Sequence, residues 1–300
     1  MKFGLSLGGV ASAAAEAQVA EKLGFDYLAC GEHLFFHVAP NPFVELAAAA
    51  AVTERIRLVS SINLLPLYPA AIVAKLAATL DQVSEGRFEL GVGAGGEAPA
   101  EFAAAGVDPE SRFRRLDEGL EIVQALFTGR PVTFAGEFAR LDGVRLDPPP
   151  VQPGGPPIWL AGRKAASIRR AARFGHAWMP YMMTPESFQS GLTQAREAAA
   201  SQGRNPRDVH GALLAFACAD QDANWARREG VKAVSATYQQ DFMALADRYL
   251  LVGSPAQVAD RVRQYEAAGV EVLLLQIASA ADDRDRVLRT ITDEVIPRLS

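Results

Sequence analysis

The chain has 300 residues, of which 49% are hydrophobic and 22% charged, and its formal net charge is −5. This composition is typical of a soluble protein with ample apolar material for a large core. The acidic balance gives no electrostatic basis for binding nucleic acid or an anionic membrane surface, and no apolar run is long enough to span a bilayer.

Short apolar runs alternate with helical patterns from one end of the chain to the other. Several runs are nearly continuous rather than alternating, as expected for parallel strands that are covered on both faces. Eight runs are predicted as strands: 3–7, 26–30, 56–62, 88–93, 157–162, 176–181, 211–217 and 270–277. Among the helical patterns, Ser254-Pro255 begins a helix that Gly269 ends. Eight such alternations predict an α/β fold, a (β/α)8 TIM barrel, with a doubly wound open sheet as the alternative.

Two segments interrupt this alternation. Residues 129–157 predict a β-hairpin around Ala135-Gly136-Glu137, followed by a proline-rich connector. Residues 221–249 predict a long irregular insertion in a βα loop, of the kind that shapes the substrate mouth of a barrel. A domain boundary within 129–157 is the competing interpretation, but eight strands need both sides of it, so we expect one domain over residues 1–300.

Two features bear on the cellular compartment. Cys30 and Cys218 both lie in apolar, strand-like runs, which favours buried free thiols in a reducing cytosol over a disulfide. The N-terminal residues lack the basic region, apolar stretch and cleavage site of a signal peptide. We therefore expect a cytoplasmic protein.

In a TIM barrel the chemistry lies at the C-terminal ends of the strands. The candidate residues at those positions are few, and most are polar, cationic, aromatic or glycine. They are Glu32 and His33 after the second strand, Ser61, Ile62 and Asn63 at the end of the third, Gly95 and Glu97 after the fourth, Gly162, Arg163 and Lys164 after the fifth, and Trp178 in the sixth.

The pair Glu32-His33 lies in the stretch DYLACGEHLFFHVAPNP. A histidine has a pKa near neutrality, so beside a carboxylate at a strand end it suits general acid or base work; a structural histidine is the alternative. A metal site would need further ligands. His37 lies on a predicted loop, and no H-E-x-x-H helix or cysteine partner accompanies His33, so we expect no metal.

The segment Gly162-Arg163-Lys164 predicts a phosphate site. A strand ends in glycine, two cations follow and a helix begins, which combines free backbone N–H groups, a favourable helix dipole and positive charge. A solvated basic turn is the alternative. The run GVGAGG lacks the context of a dinucleotide fingerprint, but its small residues let the backbone turn tightly at the rim, where a flat ring could approach.

The stretch GEHLFFHVAPNPFVELAAAAAVTERIRLVSSINLLPL, followed by ATLDQVSEGRFELGVGAGG, resembles the bacterial luciferase-like superfamily of flavin-dependent oxidoreductases. PPIWLAGRKAASIRRAARFGHAWMP and VGSPAQVADRVRQYEAAGVEVLLLQ resemble later segments of that superfamily, so the likeness covers nearly the whole chain. The resemblance implies a barrel with an isoalloxazine or deazaflavin ring at its C-terminal mouth. It also implies reduced FMN or coenzyme F420 as the cofactor, and a homodimer formed through the early helices.

The resemblance also assigns individual residues. His33 matches the active-site histidine, with Glu32 before it. Ser61-Ile62 matches a bulge where several relatives have a non-proline cis peptide behind the ring. Gly162 and Arg163 match the phosphate-binding turn, and Glu97 falls near a catalytic carboxylate of some deazaflavin enzymes. One departure is the stretch Pro66-Leu67-Tyr68-Pro69, in which the two prolines lie one residue closer together than is common in relatives.

Three functions follow as hypotheses. The leading one is a monooxygenase that uses reduced FMN and O₂ on a small, largely apolar organic substrate, with a separate reductase supplying the flavin and His33 managing protons. The alternative is hydride transfer by F420, in which His33 and Glu97 exchange a proton with the substrate. The third is a non-catalytic flavin-binding relative. An aldolase or isomerase barrel would need a lysine nucleophile at a strand end, and Lys164 is better placed for phosphate.

Overall fold

The computed structural model of the chain describes residues 1–7, 12–35, 39–96 and 98–299. All eight predicted runs form strands, although each observed strand differs at its ends from the predicted one. In chain order the strands are β1 (Lys2–Ser6), β2 (Tyr27–Cys30), β3 (Arg57–Ser60), β4 (Phe88–Val92), β5 (Val132–Ala135), β6 (Arg140–Val144), β7 (Ile158–Ala161), β8 (Ala177–Met179), β9 (His210–Ala219), β10 (Leu251–Gly253) and β11 (Val272–Ile277).

Helices fill most of the intervals between the strands. They are α1 (Ala13–Lys22), α2 (Pro42–Ala50), α3 (Ala70–Val83), α4 (Pro99–Ala104), α5 (Arg112–Phe127), α6 (Ala165–Phe174), α7 (Pro185–Ser201), α8 (Ala223–Tyr238), α9 (Ala246–Tyr249), α10 (Pro255–Ala267) and α11 (Arg284–Thr290). Among the described residues, none of these helices combines the length and the apolarity that crossing a membrane requires.

Eight parallel strands close into one barrel in the order β1, β2, β3, β4, β7, β8, β9, β11 and back to β1. The pairing of β8 with β9 joins the two edges that an open sheet would leave free. The TIM barrel prediction is therefore confirmed, and the open-sheet alternative is wrong. The short strand β10 pairs in parallel with the last residues of β9, at the C-terminal end of the barrel.

Side chains alternate along each strand, which separates the barrel interior from the layer under the helices. A leucine on the outer face of seven of the barrel strands is buried in the core between strands and helices: Leu5, Leu28, Leu58, Leu90, Leu160, Leu213 and Leu273. The opposite face fills the interior with Tyr27, Ala29, Val59, Trp159, Ala177, Met179, Ala212, Val272 and Leu274. The barrel is thus a packed core, and its functional surface lies at the strand ends.

Local side-chain hydrogen bonds fix where some of the helices begin. The Asn41 side chain accepts from the backbone N–H groups of Phe43 at 3.1 Å and Val44 at 3.4 Å, which caps α2. Ser254 and Gln257 form a reciprocal capping box at the start of α10. Gly269, with a φ of +98°, follows the end of this helix, as the sequence predicts.

An antiparallel hairpin of β5 and β6 lies in the segment 129–157, at the place where the sequence predicts one. The Glu118 carboxylate on α5 accepts from the backbone N–H groups of Glu137 at 2.7 Å and Phe138 at 3.0 Å, which ties the hairpin turn to the barrel. The chain then returns through the proline-rich connector, and β7 pairs directly with β4.

The prediction of an irregular segment at 221–249 is wrong, because most of it is helical. α8 covers sixteen residues and is followed by the single turn α9. Asp222 caps α8 by accepting from the N–H groups of Asn224 and Trp225, each at 3.0 Å. Buried Ala226, Gly230 and Val234 recur every four residues, the spacing of a packed helix face.

Candidate active site

A cavity of about 790 Å³ opens at the C-terminal ends of the barrel strands. Side chains or backbone from every barrel strand or the loop after it contribute to its wall, together with one face of α8. Eight of the predicted site residues line it: Glu32, His33, Ser61, Ile62, Gly95, Gly162, Arg163 and Lys164. Asn63 and Trp178 are not among the lining residues, and Glu97 lies outside the described residues.

His33 follows β2 and is held by a carboxylate that the sequence did not single out. Its Nδ1 lies 3.2 Å from both carboxylate oxygens of Glu101, at the start of α4. Glu101 also accepts from the backbone N–H groups of Leu34 at 2.7 Å and Phe35 at 3.1 Å. The carboxylate therefore fixes both the imidazole ring and the loop that carries it.

The ionisation of Glu101 follows from these contacts. Burial acts to raise its pKa, but hydrogen bonds from the backbone of Phe35, from His33 and from the backbone of Leu34 outweigh it and leave the pKa below its ordinary value of 4.5. An ionised carboxylate only accepts hydrogen bonds, so Nδ1 of His33 carries a proton. Nε2 is then the ring nitrogen that does not face Glu101.

Glu32 is 3% exposed and every acceptor position of its carboxylate is engaged. Oε1 accepts from Asn41 Nδ2 at 2.9 Å and from the Tyr68 hydroxyl, while Oε2 accepts from Asn63 Nδ2 and the Leu64 backbone N–H, each at 2.8 Å. Burial raises the pKa of Glu32, and the hydrogen bonds from Tyr68, Leu64 and Asn63 oppose that rise only in part. The contacts suit a group that positions the loops after β2 and β3 rather than one that transfers protons.

Tyr68 explains the departure in the stretch Pro66-Leu67-Tyr68-Pro69. Its hydroxyl, at the end of a tight turn after β3, donates to Glu32 and accepts from Asn41 at 3.0 Å. Burial is the largest cause of a raised pKa for this tyrosine, and Glu32 adds to it, so the hydroxyl remains a hydrogen-bond donor. The unusual spacing of the prolines was the one sequence signal that could have identified it.

The end of β3 forms a second wall of the cavity. The peptide bond between Ser61 and Ile62 is cis, as the resemblance implies for this position. The Ser61 hydroxyl oxygen is buried and has no hydrogen-bond partner among the described residues. A Cβ atom at Gly93 would lie 2.0 Å from Ile62 Cδ1, so a glycine is needed for Ile62 to pack across the mouth.

The turn Gly162-Arg163-Lys164 connects β7 to α6. Gly162 has a φ of +117°, and a Cβ atom there would lie 2.3 Å from Ser167 Oγ. Among the described residues no side chain caps the start of α6, so its first backbone N–H groups have no side-chain acceptor there. The Arg163 guanidinium lies 4.9 Å from the centre of the Tyr181 ring, and Arg163 and Lys164 are both exposed at the rim.

A third cation, which the sequence reading missed, lines the same cavity. Arg112, the first residue of α5, lies near Gly96, and its buried Nε has no hydrogen-bond partner among the described residues. Its position in the sequence gives no sign that it reaches the cavity. The cavity wall thus carries three cations, Arg112, Arg163 and Lys164, which suit an anionic group.

Trp178 is one of the predicted site residues, but its side chain is fully buried outside the cavity. Because side chains alternate along β8, Met179 points into the barrel and Trp178 points towards the helices. Its ring stacks on Phe188 at 5.3 Å, and its indole N–H donates to the Gly162 carbonyl at 2.9 Å. Trp178 therefore supports the glycine turn from behind. Asn63 has a similar supporting role, through its hydrogen bond to Glu32.

Both cysteines are free and buried, as predicted. Cys30 lines the cavity, but burial raises the pKa of its thiol to about 12, so the thiol is not a nucleophile at neutral pH. Among the described residues no cluster of three or more histidine, cysteine, aspartate or glutamate side chains could hold a metal ion.

Comparisons with known proteins agree with this geometry. A model of the luciferase-like monooxygenase family matches residues 4–271. An uncharacterised protein of Mycobacterium tuberculosis is 33% identical over 189 residues, which are 62% of this chain and 64% of that protein. The FMNH₂-dependent dimethylsulfone monooxygenase of Pseudomonas putida is 27% identical over 294 residues, which are 86% of this chain and 80% of that enzyme. The chain thus spans somewhat under two thirds of the mycobacterial relative.

Solved structures give the same grouping. Monooxygenase RslO1 from Streptomyces bottropensis superposes with a TM-score of 0.88 at 28% identity, over 100% of both chains. An F420-dependent secondary alcohol dehydrogenase, solved with an F420-acetone adduct, gives a TM-score of 0.85 at 21% identity, over 100% of this chain and 99% of that one. At that identity the second likeness shows the fold alone.

Proposed function

The chain belongs to the luciferase-like monooxygenase family, and on that premise we propose that it is a monooxygenase that uses reduced FMN and O₂ on a small organic substrate. The observation that carries the proposal is the pairing, within one cavity, of an oriented histidine with a three-cation anion site. Two relatives that share most of the chain at 27–28% identity are an FMNH₂-dependent monooxygenase and a structurally similar monooxygenase.

The residues present fit a flat cofactor with a phosphate-bearing tail. Gly95, Gly96 and Gly162 leave open backbone where side chains would stand, and the buried Ser61 hydroxyl and Arg112 Nε lack partners within the described structure. Arg112, Arg163, Lys164 and the start of α6 would hold the phosphate. Ser61 and Ile62 would lie against the ring.

When bound, reduced FMN would supply the two electrons with which one oxygen atom of O₂ enters the substrate and the other becomes water. His33 holds its Nδ1 proton against Glu101, and its Nε2 exchanges a proton with the reacting molecule. The network around Glu32 keeps the loops after β2 and β3 at a fixed separation, so His33 stays at a constant distance from the cavity floor. The apolar residues of the mouth exclude water from the site.

Hydride transfer with F420 is the alternative, favoured by the carboxylate beside His33 and by the run GAGGEA. There, the His33–Glu101 pair would exchange a proton with the substrate, in place of the role that the sequence assigned to Glu97. A non-catalytic flavin-binding protein is the second alternative. The ordered clamp on His33 argues against it, because a protein that only binds the cofactor has no need to orient an acid or base.

Anaerobic titrations followed by fluorescence test the proposal, one with reduced FMN and one with F420. We expect saturable binding of reduced FMN, and Arg163→Gln is expected to weaken it by about 10-fold, since a charge-assisted hydrogen bond is lost. The matched control is Arg169→Gln, which removes an exposed cation from α6 that does not line the cavity. Binding of F420 alone would move the assignment to hydride transfer, and binding of neither by the folded protein would refute both.

The proposal extends to the reductase partner, the domain organisation, the cellular compartment and the oligomeric state. We infer that a separate reductase supplies the reduced flavin, that residues 1–300 act as one domain in the cytoplasm, and that two copies pair through α2 and α3. Two free buried thiols suit a reducing compartment. The dimer is supported by exposed apolar side chains on the two helices: Val44 is 67% exposed, Ile72 51% and Leu76 36%.

A further inference from the structure

Charge is distributed unevenly around the cavity. The acidic, basic and histidine side chains that line it are Glu32, His33, Arg112, Arg163 and Lys164. They come from the loops after β2 and β7 and from the start of α5, which lies beside the loop after β4. Among the described residues that line the cavity, those from β8, β9, β11, α8 and the loops after these strands carry no charged side chain. The residues of this second group are therefore uncharged, and the nearest cation recorded against them is the Arg163 guanidinium, 4.9 Å from the centre of the Tyr181 ring.

Aromatic rings form a wall within this uncharged group. Tyr181 follows β8, Phe216 lies on β9 and Tyr238 ends α8, and all three line the cavity. The Tyr238 ring lies 6.4 Å from that of Tyr181 and nearly parallel to it, and its edge-to-face contact with Phe216 has a centroid distance of 5.9 Å. We call these three residues the aromatic wall.

The aromatic wall is backed by a small apolar core of its own. Phe216 belongs to this cluster with buried Val234 and Phe242, and Tyr181 and Tyr238 pack against it. The Phe242 ring lies 5.6 Å from that of Tyr238. Support of this kind fixes the rings before any ligand arrives, which lowers the entropy cost of binding.

Gln276 provides one polar side chain within the uncharged group. In the register between β11 and β9 it is the direct partner of Phe216, so the two side chains stand next to each other on the inner face. Gln276 lines the cavity, and its side-chain amide makes no hydrogen bond to any described residue. An amide in this state can both donate to and accept from a ligand.

The position of the wall relative to His33 follows from the strand order. In an eight-stranded barrel, β8 lies across from β2, and β9 lies across from β3. Tyr181 and Phe216 therefore face His33 and the Ser61-Ile62 wall across the mouth. A molecule between the two sides would contact the aromatic wall on one face and the acid or base on the other.

We propose that the aromatic wall and Gln276 form a substrate subsite for an uncharged aromatic molecule that carries one hydroxyl or carbonyl group. The inference rests on the proposed function, since it places the substrate where His33 can reach it. Ring faces favour aromatic over saturated ligands through edge and stacking contacts. The side chains of Phe216, Tyr238 and Gln276 are uncharged and offer a carboxylate no ionic partner of their own, so its lost hydration is not compensated by them.

Isothermal titration with matched probes tests the subsite. The probes are 2-naphthol, its saturated analogue decahydro-2-naphthol, naphthalene, and the anion 2-naphthoate. We expect 2-naphthol to bind saturably, decahydro-2-naphthol to bind about 3–10-fold more weakly because the ring contacts are lost, and 2-naphthoate to bind more weakly still. Equal affinity for 2-naphthol and its saturated analogue would overturn the aromatic assignment.

Variants locate the binding. Phe216→Leu and Tyr238→Leu are each expected to raise the Kd for 2-naphthol by about 3–10-fold, while Tyr238→Phe, which keeps the ring, binds as wild type. Gln276→Leu is expected to weaken 2-naphthol by about 5-fold and to leave naphthalene unchanged, because only the hydroxyl loses its partner. Tyr249→Leu is the matched control, since Tyr249 packs against the same apolar cluster without lining the cavity.

Separate titration of each variant with reduced FMN distinguishes the two levels of the proposal. If wild type binds reduced FMN but not 2-naphthol, the subsite is wrong and the proposed function stands. If 2-naphthol binds with the expected sensitivity to Phe216 and Gln276 but neither FMN nor F420 binds, the subsite stands and the proposed function is wrong. If Gln276→Leu weakened the binding of 2-naphthol and of naphthalene equally, the proposed hydrogen bond between Gln276 and the ligand hydroxyl would be wrong.

Discussion

Glu32 and Glu101 are two buried carboxylates beside the same cavity, and their neighbours shift them in opposite directions. Burial dominates at Glu32 and raises its pKa, whereas hydrogen bonds outweigh burial at Glu101 and lower its pKa. The difference arises from the donors. Glu101 receives two backbone N–H groups and the imidazole of His33, while Glu32 is held by two amides, one N–H group and a hydroxyl that is itself difficult to ionise.

These shifts predict opposite effects of pH on stability. A raised folded-state pKa means that the stability contributed by Glu32 is present below about pH 4.5 and is lost as pH rises through the folded-state pKa. A lowered pKa means that the stability contributed by Glu101 is present above pH 4.5 and is lost as pH falls. From pH 4 to pH 7, the free energy of unfolding of wild type relative to Glu32→Gln should therefore fall, and relative to Glu101→Gln it should rise.

Urea unfolding at half-unit steps of pH measures both differences, and each variant serves as the control for the other. Each Gln variant places an amide among hydrogen-bond donors, which lowers the free energy of unfolding by an amount that does not change with pH. This constant does not affect the slope of the free energy of unfolding with pH, which is the quantity compared. Slopes of the same sign for the two variants would contradict the assignment.

The carboxylate at His33 also shows a limit of reading single residues from sequence. Glu97 was singled out because it follows a strand end, and Glu101 was not, because in APAEFAA it reads as a residue in the first turn of a short helix. Only the fold shows that the start of α4 lies over the loop after β2, where the backbone of Leu34 and Phe35 and the ring of His33 converge on one side chain.

The turn between β7 and α6 depends on Gly162 for two separate reasons, and a matched pair of variants can separate them. Gly162 and Gly203 both have positive φ, +117° and +76°, but an added Cβ would meet Ser167 Oγ at 2.3 Å only at Gly162, and nothing within 4 Å at Gly203. Gly203→Ala should cost about 1 kcal/mol of unfolding free energy from backbone strain alone.

Gly162→Ala should cost about 2–4 kcal/mol, because the clash adds to the strain. It should also weaken binding of reduced FMN, since moving Ser167 disturbs the start of α6, whereas Gly203→Ala should leave that affinity unchanged. Urea unfolding and anaerobic titration of the two variants provide the measurements. If both substitutions changed the free energy of unfolding and the affinity for reduced FMN equally, the close approach of Gly162 to Ser167 would contribute to neither.

Among the secondary-structure elements, the sequence predicts those that depend on a local pattern of residues. It does not predict those that depend on packing against distant parts of the chain. Buried parallel strands have continuous apolar sequences, so all eight barrel strands were predicted. The predicted third strand was too long, because it included Ser61 and Ile62, which follow the end of β3. α8 was missed because Gly230 weakens the helical signal at mid-helix. The glycine is there because a Cβ would lie 2.5 Å from Val252 Cγ1, so the helix packs closely on β10.

For the whole molecule, closure of the barrel places the cation site, the histidine and the aromatic wall on different sides of one mouth. No single motif encodes that arrangement, because the residues are spread along the chain from His33 to Tyr238. The sequence predicts the set of strand ends. Their order around the barrel, which decides what faces His33, follows only from the pairing of β8 with β9 and of β11 with β1.

Outside the barrel, the helices α2 and α3 present apolar side chains to solvent. Ile72 and Leu76 are four residues apart on α3 and share one face, and Val44 is exposed on the adjacent α2. Burying such a patch against a second copy would recover about 25 cal/mol per Å² of apolar surface. We therefore predict that the protein sediments as a dimer and that Ile72→Glu shifts it to monomers.

Sedimentation velocity over a range of concentrations measures this shift, and Met243→Glu is the control. Met243 is 48% exposed, close to the 51% of Ile72, but it lies between α8 and α9, after β9, which is across the barrel from β3. A charge at Met243 should leave the dimer intact, because only a charge at the helix face must lose its hydration when the two copies meet. Wild type that remains monomeric at every concentration, or dissociation by both variants alike, would show that this face does not form the interface.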